Sequence, residues 1–249
     1  MNEDQLTAAL ALDKIHQCEE KNYLTSTTFL DTHQQSVVRR AAAGSRCRLE
    51  YYGGYEDAER RILVCLPDYL ELADADVLTV IRAQIANPGG RKLAHKDYLG
   101  SLMGLGIRRE MIGDILVRED GADIIALTEI APYLLNEYRK AGKTELTLEE
   151  KPVSELILPQ VQTRTVRDTV ASMRLDGIVA AGFGLSRGKA AEAIRAGQVM
   201  LNHIETVKPD AAVQEGDLIN LRRSGRIRIT ETGGRSRKGR IIIEMEVYR

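Results

Sequence analysis

The sequence predicts a multidomain α+β protein. Its 249 residues are enough for two or three small domains. A strand–helix–strand–strand–helix–strand order is predicted over residues 71–150, and a helical hairpin followed by strands over residues 164–249. Residues 1–70 add a smaller α/β unit. Residues 151–163, which contain two prolines, are expected to link the central and C-terminal domains.

Two helices and two strands are expected in the N-terminal unit. The first helix spans residues 3–19, and its spacing predicts that Leu6 and Leu10 face the core. The second helix begins with Asp31 or Thr32, because either side chain can cap a helix N-terminus. The strands are predicted at residues 46–52 and 61–66.

The central domain is expected to have the ferredoxin-like βαββαβ fold, which RNA-recognition motifs share. Its first helix covers residues 96–104, and its second begins with Thr128 as the N-cap and ends at Gly142. RNA-recognition motifs stack bases on aromatic residues of their central strands, whereas these strands carry Ile, Leu, Val and Ala. The sheet is therefore expected to act as a scaffold or interaction surface. Its strands are predicted at residues 76–86, 114–117, 123–127 and 144–150.

Charge and cysteine content narrow the functional classes. Residues 161–249 carry 16 Lys or Arg and 10 Asp or Glu, whereas the first 160 residues carry 19 and 26. A basic end on an acidic body indicates a polyanionic partner for that end. Cys18, Cys47 and Cys65 form no CxxC pair, so neither a metal site nor a disulfide framework is expected. Without a signal peptide or a long apolar run, we expect a cytoplasmic protein that does not contact membranes.

The glycines Gly182 and Gly184 have the appearance of a nucleotide-binding loop. Such a loop follows a strand, but the preceding apolar residues Leu175, Ile178 and Val179 have helical spacing. Gly182 is instead expected to be the left-handed residue that ends this helix. Ser186 is expected to cap a second helix over residues 187–196, which completes a helical hairpin without a bound cofactor.

The hairpin and the residues after it resemble the RNA-binding domain named after the fourth protein of the small ribosomal subunit. This domain is also called the alpha-L RNA-binding motif. His203 stands where the family most often has glycine, which predicts a less tight turn. The resemblance rests on Arg174-Leu175-Asp176, on Ser186-Arg187 with Ala190 and Ile194, on Gly197 with Val199 and Asn202, and on Gly216-Asp217 with Ile219.

The basic residues of this domain are expected to contact RNA. Few aromatic residues accompany them, so the domain should recognise RNA shape and phosphates and not stack bases. Arg187 and Lys189 begin the second helix, where free N–H groups also favour phosphate oxygens. The candidate RNA-binding residues are Arg174, Ser186, Arg187, Lys189, Arg195, Lys208, Arg222, Arg223, Arg226 and Arg228.

Two further stretches extend the resemblance over nearly the whole chain. GGYEDAERR at residues 53–61 and HKDYLGSLMGLGIRREMIGDILV at residues 95–117 are similar to the YlmH family of bacterial RNA-binding proteins, which includes a branch named for photosystem II. The resemblance implies a non-enzymatic, ribosome-associated protein that binds ribosomal RNA and tRNA on the large subunit. A role in rescuing stalled subunits is also implied. We expect a monomer without DNA specificity.

An RNA-modifying enzyme remains an alternative, because this RNA-binding domain often accompanies such enzymes. Asp176 is not expected to be the catalytic aspartate of a pseudouridine synthase, since it lies in the first turn of a helix, where a carboxylate is favourable. The best candidate for acid–base chemistry is the group of His95, Asp97, Arg108, Arg109 and Asp114.

That group lacks a nucleophile and a convergent third residue, so no catalytic residue is predicted. His95, Lys96, Arg108 and Arg109 are expected instead to form a second contact with RNA or the ribosome. A third alternative is a protein-interaction adaptor, in which the acidic first 160 residues bind a protein partner and the basic end binds RNA.

Overall fold

The computed structural model describes residues 2–87, 92–158, 163–222 and 224–248. The chain forms two compact units, Met1–Pro159 and Gln160–Arg249, each built from helices and antiparallel sheet. The predicted multidomain α+β fold is therefore confirmed. Within the described ranges, no helix is both long and apolar enough to span a bilayer.

The first unit contains two sheets. The smaller has the strand order β1-β3-β2 and the larger the order β5-β6-β4-β8-β7. The order β5-β6-β4-β8 is that of a ferredoxin-like sheet, and β7 extends it as a hairpin with β8. The elements are α1 (Glu3–Lys21), β1 (Thr25–Ser26), α2 (Thr32–Ala41), β2 (Arg48–Tyr52), β3 (Ile62–Leu66), β4 (Leu78–Ile85), α3 (His95–Gly104), β5 (Ile112–Val117), β6 (Gly121–Leu127), α4 (Ala131–Glu137), β7 (Lys140–Ala141) and β8 (Thr144–Lys151).

The buried face of α1 differs from the prediction. Leu6 and Leu10 are 44% and 57% exposed, whereas Ala11, Ile15 and Cys18 are buried. These three residues are spaced i, i+4 and i+7, so they form one stripe, and this stripe packs in the core with residues of α2 and β3. At the start of α2, the side chain of Asp31 accepts the N–H of Gln34, so Asp31 and not Thr32 is the cap.

Three cysteines that are distant in the sequence meet in the core between α1 and β3. Cys18 and Cys65 are buried, and the half-buried Cys47 packs against the same cluster. Burial raises the pKa of Cys18 to about 11 and that of Cys65 to about 12, so both thiols stay protonated at neutral pH. Among the described residues, no three His, Cys, Asp or Glu side chains are arranged to hold a metal ion.

The second helix of the central domain is shorter than predicted. Thr128 begins a single 3-10 turn and caps nothing, since its hydroxyl donates to Asp76. The helix α4 ends at Glu137, and the chain then turns so that Tyr138 is fully buried. Burial of this aromatic side chain and pairing of the next residues in β7 end the helix before the predicted position, Gly142.

The sheet face of the central domain that does not carry its helices is covered by protein. Ile81 and Ile124 pack beneath the helices, whereas Ile125 on the opposite face packs against Ile62 and Val64 of the N-terminal sheet. In an RNA-recognition motif, this opposite face is the one that stacks bases. Ile125, Ile62 and Val64 therefore occupy the part of the central sheet where an RNA-recognition motif would stack bases.

A buried ion triad lies on the same covered face. Asp123 is fully buried and accepts hydrogen bonds from Arg82 at 3.0 and 2.9 Å, from Arg118, and from the N–H of Ile157 at 2.9 Å. Burial by itself would raise the pKa of Asp123, but these donors outweigh it and hold the pKa below its usual range. The side chains of Arg82 and Arg118 are only 11% and 10% exposed.

The second unit is a six-stranded sheet with a helical hairpin on one face. The strand order is β11-β10-β12-β13-β14-β9, and every ladder is antiparallel. The elements are β9 (Thr163–Val170), α5 (Leu175–Phe183), α6 (Arg187–Arg195), β10 (Val199–Leu201), β11 (Ile204–Glu205), β12 (Leu218–Leu221), β13 (Gly225–Arg235) and β14 (Ile241–Tyr248).

The strand β9 was not predicted, and it shortens the expected linker. Lys151 already belongs to β8 and Thr163 begins β9, while residues 159–162 lie outside the described part of the chain. The strand β9 lies at the edge of the sheet, and its apolar contribution to the core consists of Val166 and Val170. Its sequence therefore carries little hydrophobic signal, and pairing along all of β14 supplies the rest of its stability.

Two turns of the second unit differ from the prediction. The left-handed residue that ends α5 is Gly184 (φ 66°), not Gly182. Gly182 lies within the helix, where a Cβ atom would stand 2.3 Å from Cδ1 of Ile227, so close packing requires glycine. Between β10 and β11, Asn202 and His203 both have positive φ (51° and 64°), so the turn is a tight two-residue turn despite His203.

Candidate nucleic-acid interface

The helical hairpin is held on the sheet by a continuous apolar core. Leu175, Ile178 and Val179 of α5 are fully buried, as are Ala190 and Ile194 of α6. Ser186 caps α6 as predicted, since its Oγ accepts the N–H of Lys189 at 3.3 Å. The apolar faces are buried in this way, while polar side chains at the N-terminal ends of both helices, such as Arg174 and Arg187, stay partly exposed.

A buried carboxylate organises these helix ends. Asp176 is 5% exposed and accepts hydrogen bonds from two arginines. The guanidinium of Arg174 lies 3.1 Å from its Oδ2, and that of Arg187 lies 3.1 Å from its Oδ1. One side chain in the first turn of α5 thus fixes one cation from the residue before that helix and another from the first residue of α6.

The protonation states of this triad follow from its hydrogen bonds. Burial by itself would raise the pKa of Asp176, but the hydrogen bonds from Arg174 and Arg187 outweigh it and hold the pKa below its usual range. The hydrogen bond to Asp176 in turn raises the pKa of Arg174. The site therefore carries two cations and one anion at neutral pH. The side chains of Arg174 and Arg187 remain 42% and 56% exposed, so each can still donate to a ligand.

The loop that contains Lys208 is fixed against the same helix end. The N–H groups of Leu175 and Asp176 donate to the carbonyl oxygens of Ala211 and Pro209, at 2.9 and 2.8 Å. Lys208 precedes these residues directly and is exposed. We define the hairpin surface as Arg174, Ser186, Arg187, Lys189 and Lys208, which the two helix ends and this loop bring together.

The other predicted RNA-binding residues of this unit lie elsewhere. Arg195 is at the opposite end of α6 from Arg187, a rise of about 12 Å along the helix axis. The N–H of Arg222 donates to Gln198, which places Arg222 near that opposite end. Arg223 lies outside the described residues.

Arg226 and Arg228 lie on the face of the sheet that the helices do not cover. They alternate along β13 with Ile227 and Ile229, which are fully buried in the core beneath the helices. The guanidinium of Arg226 is 5.0 Å from the centroid of the Tyr248 ring. The structure therefore separates these two arginines from the hairpin surface, although the sequence analysis placed all ten residues in one set.

The predicted second contact is only partly available to a ligand. His95, Lys96 and Arg108 are exposed, and Arg108 pairs with Glu110 at 2.9 Å. Arg109 is half-buried, and its guanidinium donates to the carbonyl oxygens of Ile112 and Gly113. Burial lowers the pKa of Arg109 to about 10. Arg109 thus supports the start of β5, a structural role that the sequence did not predict.

The two carboxylates of the candidate acid–base group also have structural partners. Asp97 accepts the N–H of Ala94 at 2.8 Å and caps α3. Asp114 accepts the hydroxyl of Tyr55 at 2.9 Å and the N–H of Glu59 at 2.7 Å. The two YlmH-like stretches, residues 53–61 and 95–117, are therefore joined to each other through Asp114.

Asp176 has side-chain partners that the sequence did not predict. It was expected to serve only the first turn of its own helix, whereas it binds side chains from two helix ends. The signal was present, since Asp176 follows Arg174 within the RNA-binding pattern and Arg187 belongs to the same pattern. Sequence spacing does not show that residues 11 positions apart meet across a hairpin.

Comparison with known proteins identifies two domains in the chain. Residues 88–155 match the model described as the putative RNA-binding domain in YlmH, and residues 173–219 match the S4 domain. The chain thus matches a YlmH-type putative RNA-binding domain followed by an S4 domain. The resemblance drawn from the sequence is thereby confirmed, and the hairpin surface lies in the S4 domain.

Two similar proteins extend the comparison. The chain is 29% identical over 229 residues to ribosome-associated protein quality control protein P2 of Bacillus subtilis (strain 168), covering 92% of this chain and 89% of that protein. It is 26% identical to the solved structure of cell division protein ylmH from Streptococcus pneumoniae, with a TM-score of 0.51. That match covers 63% of this chain and 96% of the other.

Proposed function

We propose that this protein is a non-enzymatic, ribosome-associated RNA-binding protein that acts in the quality control of stalled ribosomes. The hairpin surface contacts ribosomal RNA or tRNA on the large subunit, in the cytoplasm. One observation carries the proposal: Asp176 holds two half-exposed arginines at the ends of a rigid hairpin. The match to a relative named for ribosome-associated quality control supports the ribosome as partner.

The geometry favours phosphate recognition over base stacking. Each guanidinium has five N–H donors, and Asp176 uses only part of this capacity in Arg174 and Arg187. Because both arginines are already ordered by Asp176, little side-chain entropy is lost when phosphates bind. The capped N-terminus of α6 adds backbone N–H groups beside Arg187, which favour the same ligand.

The non-enzymatic assignment is supported by the structural partners of the candidate acid–base residues. Asp97 caps a helix, Asp114 joins two segments, and Arg109 binds backbone carbonyl oxygens. A general base must instead present its carboxylate to a substrate. We propose that the exposed members His95, Lys96 and Arg108 form a secondary contact with RNA or the ribosome.

The test is co-sedimentation of the full chain with purified small subunits, large subunits and whole ribosomes on a gradient, at several salt concentrations. We expect migration with the large subunit that is lost as salt rises, because phosphate contacts release counterions. A second series uses large subunits with and without bound tRNA, and we expect tighter association when tRNA is present. Exclusive migration with small subunits, or no association with any particle, would contradict the proposal.

A further inference from the structure

A groove of about 330 Å³ adjoins the hairpin surface and shares only Arg187 with it. It runs between α5 and the end of β9, wholly within the second unit. The side facing α5 consists of Gly177, Ala180 and Ala181, which are spaced i, i+3 and i+4 and so share one helix face. No long side chain fills the groove on that side, and its volume lies in the range of small-ligand sites.

Two cations from different elements line this groove. Arg187, in the first turn of α6, spends part of its donor capacity on Asp176, and Arg240, just before β14, donates to the carbonyl oxygen of Thr169. Both side chains are exposed, and each guanidinium has further donors. This arrangement suits a phosphate group, which accepts several N–H donors at once.

The remaining charged group at the groove is an acceptor. Asp168 is exposed near the end of β9, and its Oδ1 accepts the N–H of Thr169 at 2.6 Å. A carboxylate has about four lone-pair sites on two oxygens, so it retains capacity for a ligand with neighbouring donors. The groove therefore combines two cations, one anion and an apolar wall, which is the pattern expected for a nucleotide rather than for a free phosphate.

We propose that this groove binds one unpaired guanine nucleotide of the RNA, with its phosphate at Arg187 and Arg240 and its base edge at Asp168. Guanine is the base that presents two adjacent N–H donors on its Watson–Crick edge, and these match a carboxylate. An unpaired nucleotide is required because this edge is hidden in a duplex. The inference rests on the proposed function, since it assumes that the hairpin surface binds the RNA around this nucleotide.

The test measures fluorescence anisotropy of the full chain with three RNA hairpins of equal length and charge. One has a single bulged guanosine, one a bulged adenosine, and one is fully paired. We expect the bulged guanosine to bind about 5- to 150-fold more tightly than the bulged adenosine, which is the discrimination of one good bidentate contact. Asp168→Asn should abolish this preference, because an NH2 donor replaces one carboxylate oxygen, and should not weaken binding of the paired hairpin, since the variant only loses a negative charge.

A second variant tests the apolar wall. Ala180→Leu fills the groove, so it should remove the preference for both bulged hairpins over the paired one. Asp168 is exposed, so Asp168→Asn keeps the test valid even if Ala180→Leu is unstable. Equal affinity of the natural chain for all three RNAs, or a guanosine preference that survives Asp168→Asn, would overturn the groove assignment alone. Absence of binding to every RNA would instead overturn the proposed function.

Discussion

The two units of this protein each contain a buried aspartate bound by two arginines, and the triads differ in what surrounds them. Asp123 in the first unit is bound by Arg82 and Arg118, whose side chains are 11% and 10% exposed. Asp176 in the second unit is bound by arginines that are 42% and 56% exposed. Both carboxylates are buried, but the arginines that bind Asp123 are buried with it, whereas those that bind Asp176 are half-exposed.

The exposure of the arginines distinguishes those that stabilise the fold from those that are available to a ligand. In the first unit, Arg82, Arg118 and the N–H of Ile157 all donate to the buried carboxylate of Asp123. At Asp176, the network holds two guanidiniums in place while much of each remains in water. A buried charge pair is weak proof of stability, but it is a good device for fixing geometry. We infer that the first triad fixes the fold and the second presents a surface.

The largest effect is expected from Asp123→Asn. The substitution removes the buried carboxylate that Arg82 and Arg118 share, so it should lower the free energy of unfolding of the first unit by about 3–5 kcal/mol. Hydrogen exchange of β6 peptides in increasing urea, read by mass spectrometry, measures this loss. The matched control is Asp120→Asn, because Asp120 also pairs with Arg118 but is 64% exposed, and it should cost less than about 1 kcal/mol. Equal losses in the two variants would show that the first triad is not a closed network.

A smaller loss is expected from Asp176→Asn. We expect about 1–2 kcal/mol in the second unit, measured by hydrogen exchange of α5 peptides, because water screens the exposed guanidiniums of Arg174 and Arg187. RNA affinity should fall as well, although the variant gains net positive charge, since both arginines lose their fixed position. Tighter binding, as the charge change alone would give, would contradict the presenting role of Asp176. The exposed Asp210→Asn is the control for charge.

Asp176→Asn also tests how the stability of the second unit depends on pH. The pKa of Asp176 is lower in the folded chain than the usual carboxyl value, about 3.9, expected when the chain is unfolded. Its contribution is therefore fully present above that value and is lost as the pH falls through the folded-state pKa. The stability difference between the natural chain and Asp176→Asn should be constant near neutral pH and should shrink below about pH 4.

The comparison of the two triads also shows where sequence reasoning succeeds and where it stops. Local signals were sufficient for the hairpin, since the helical spacing of Leu175, Ile178 and Val179 and the cap at Ser186 depend on neighbouring residues only. The βαββαβ order was readable for the same reason. Each aspartate has one distant arginine partner, Arg187 at 11 positions from Asp176 and Arg82 at 41 positions from Asp123, and no local pattern reports these two contacts.

Edges and faces were the least predictable features. The strand β9 has too few apolar residues to be recognised, because its stability comes from pairing with β14. The buried face of α1 was misjudged because two large residues, Leu6 and Leu10, remain exposed while the smaller Ala11 and Cys18 are buried. Likewise, a list of basic residues does not reveal that Arg226 and Arg228 lie on the opposite sheet face from the hairpin surface.

The smallest effects on the fold are expected when cations are removed from these two faces. Arg187→Ala combined with Lys189→Ala should lower the unfolding free energy by less than Asp176→Asn does, because Asp176 keeps Arg174 as a partner and both removed side chains are exposed. It should reduce the slope of log affinity against log salt by about 1.4–1.8, which corresponds to two phosphates lost. Arg226→Ala combined with Arg228→Ala removes the same charge from the other face and should change this slope far less. Because the two pairs are matched in charge, a difference between them measures contact geometry and not net charge.

Equal reductions of the salt slope in the two double variants would mean that the RNA contacts both faces of the second unit. The hairpin surface would then be only part of the interface.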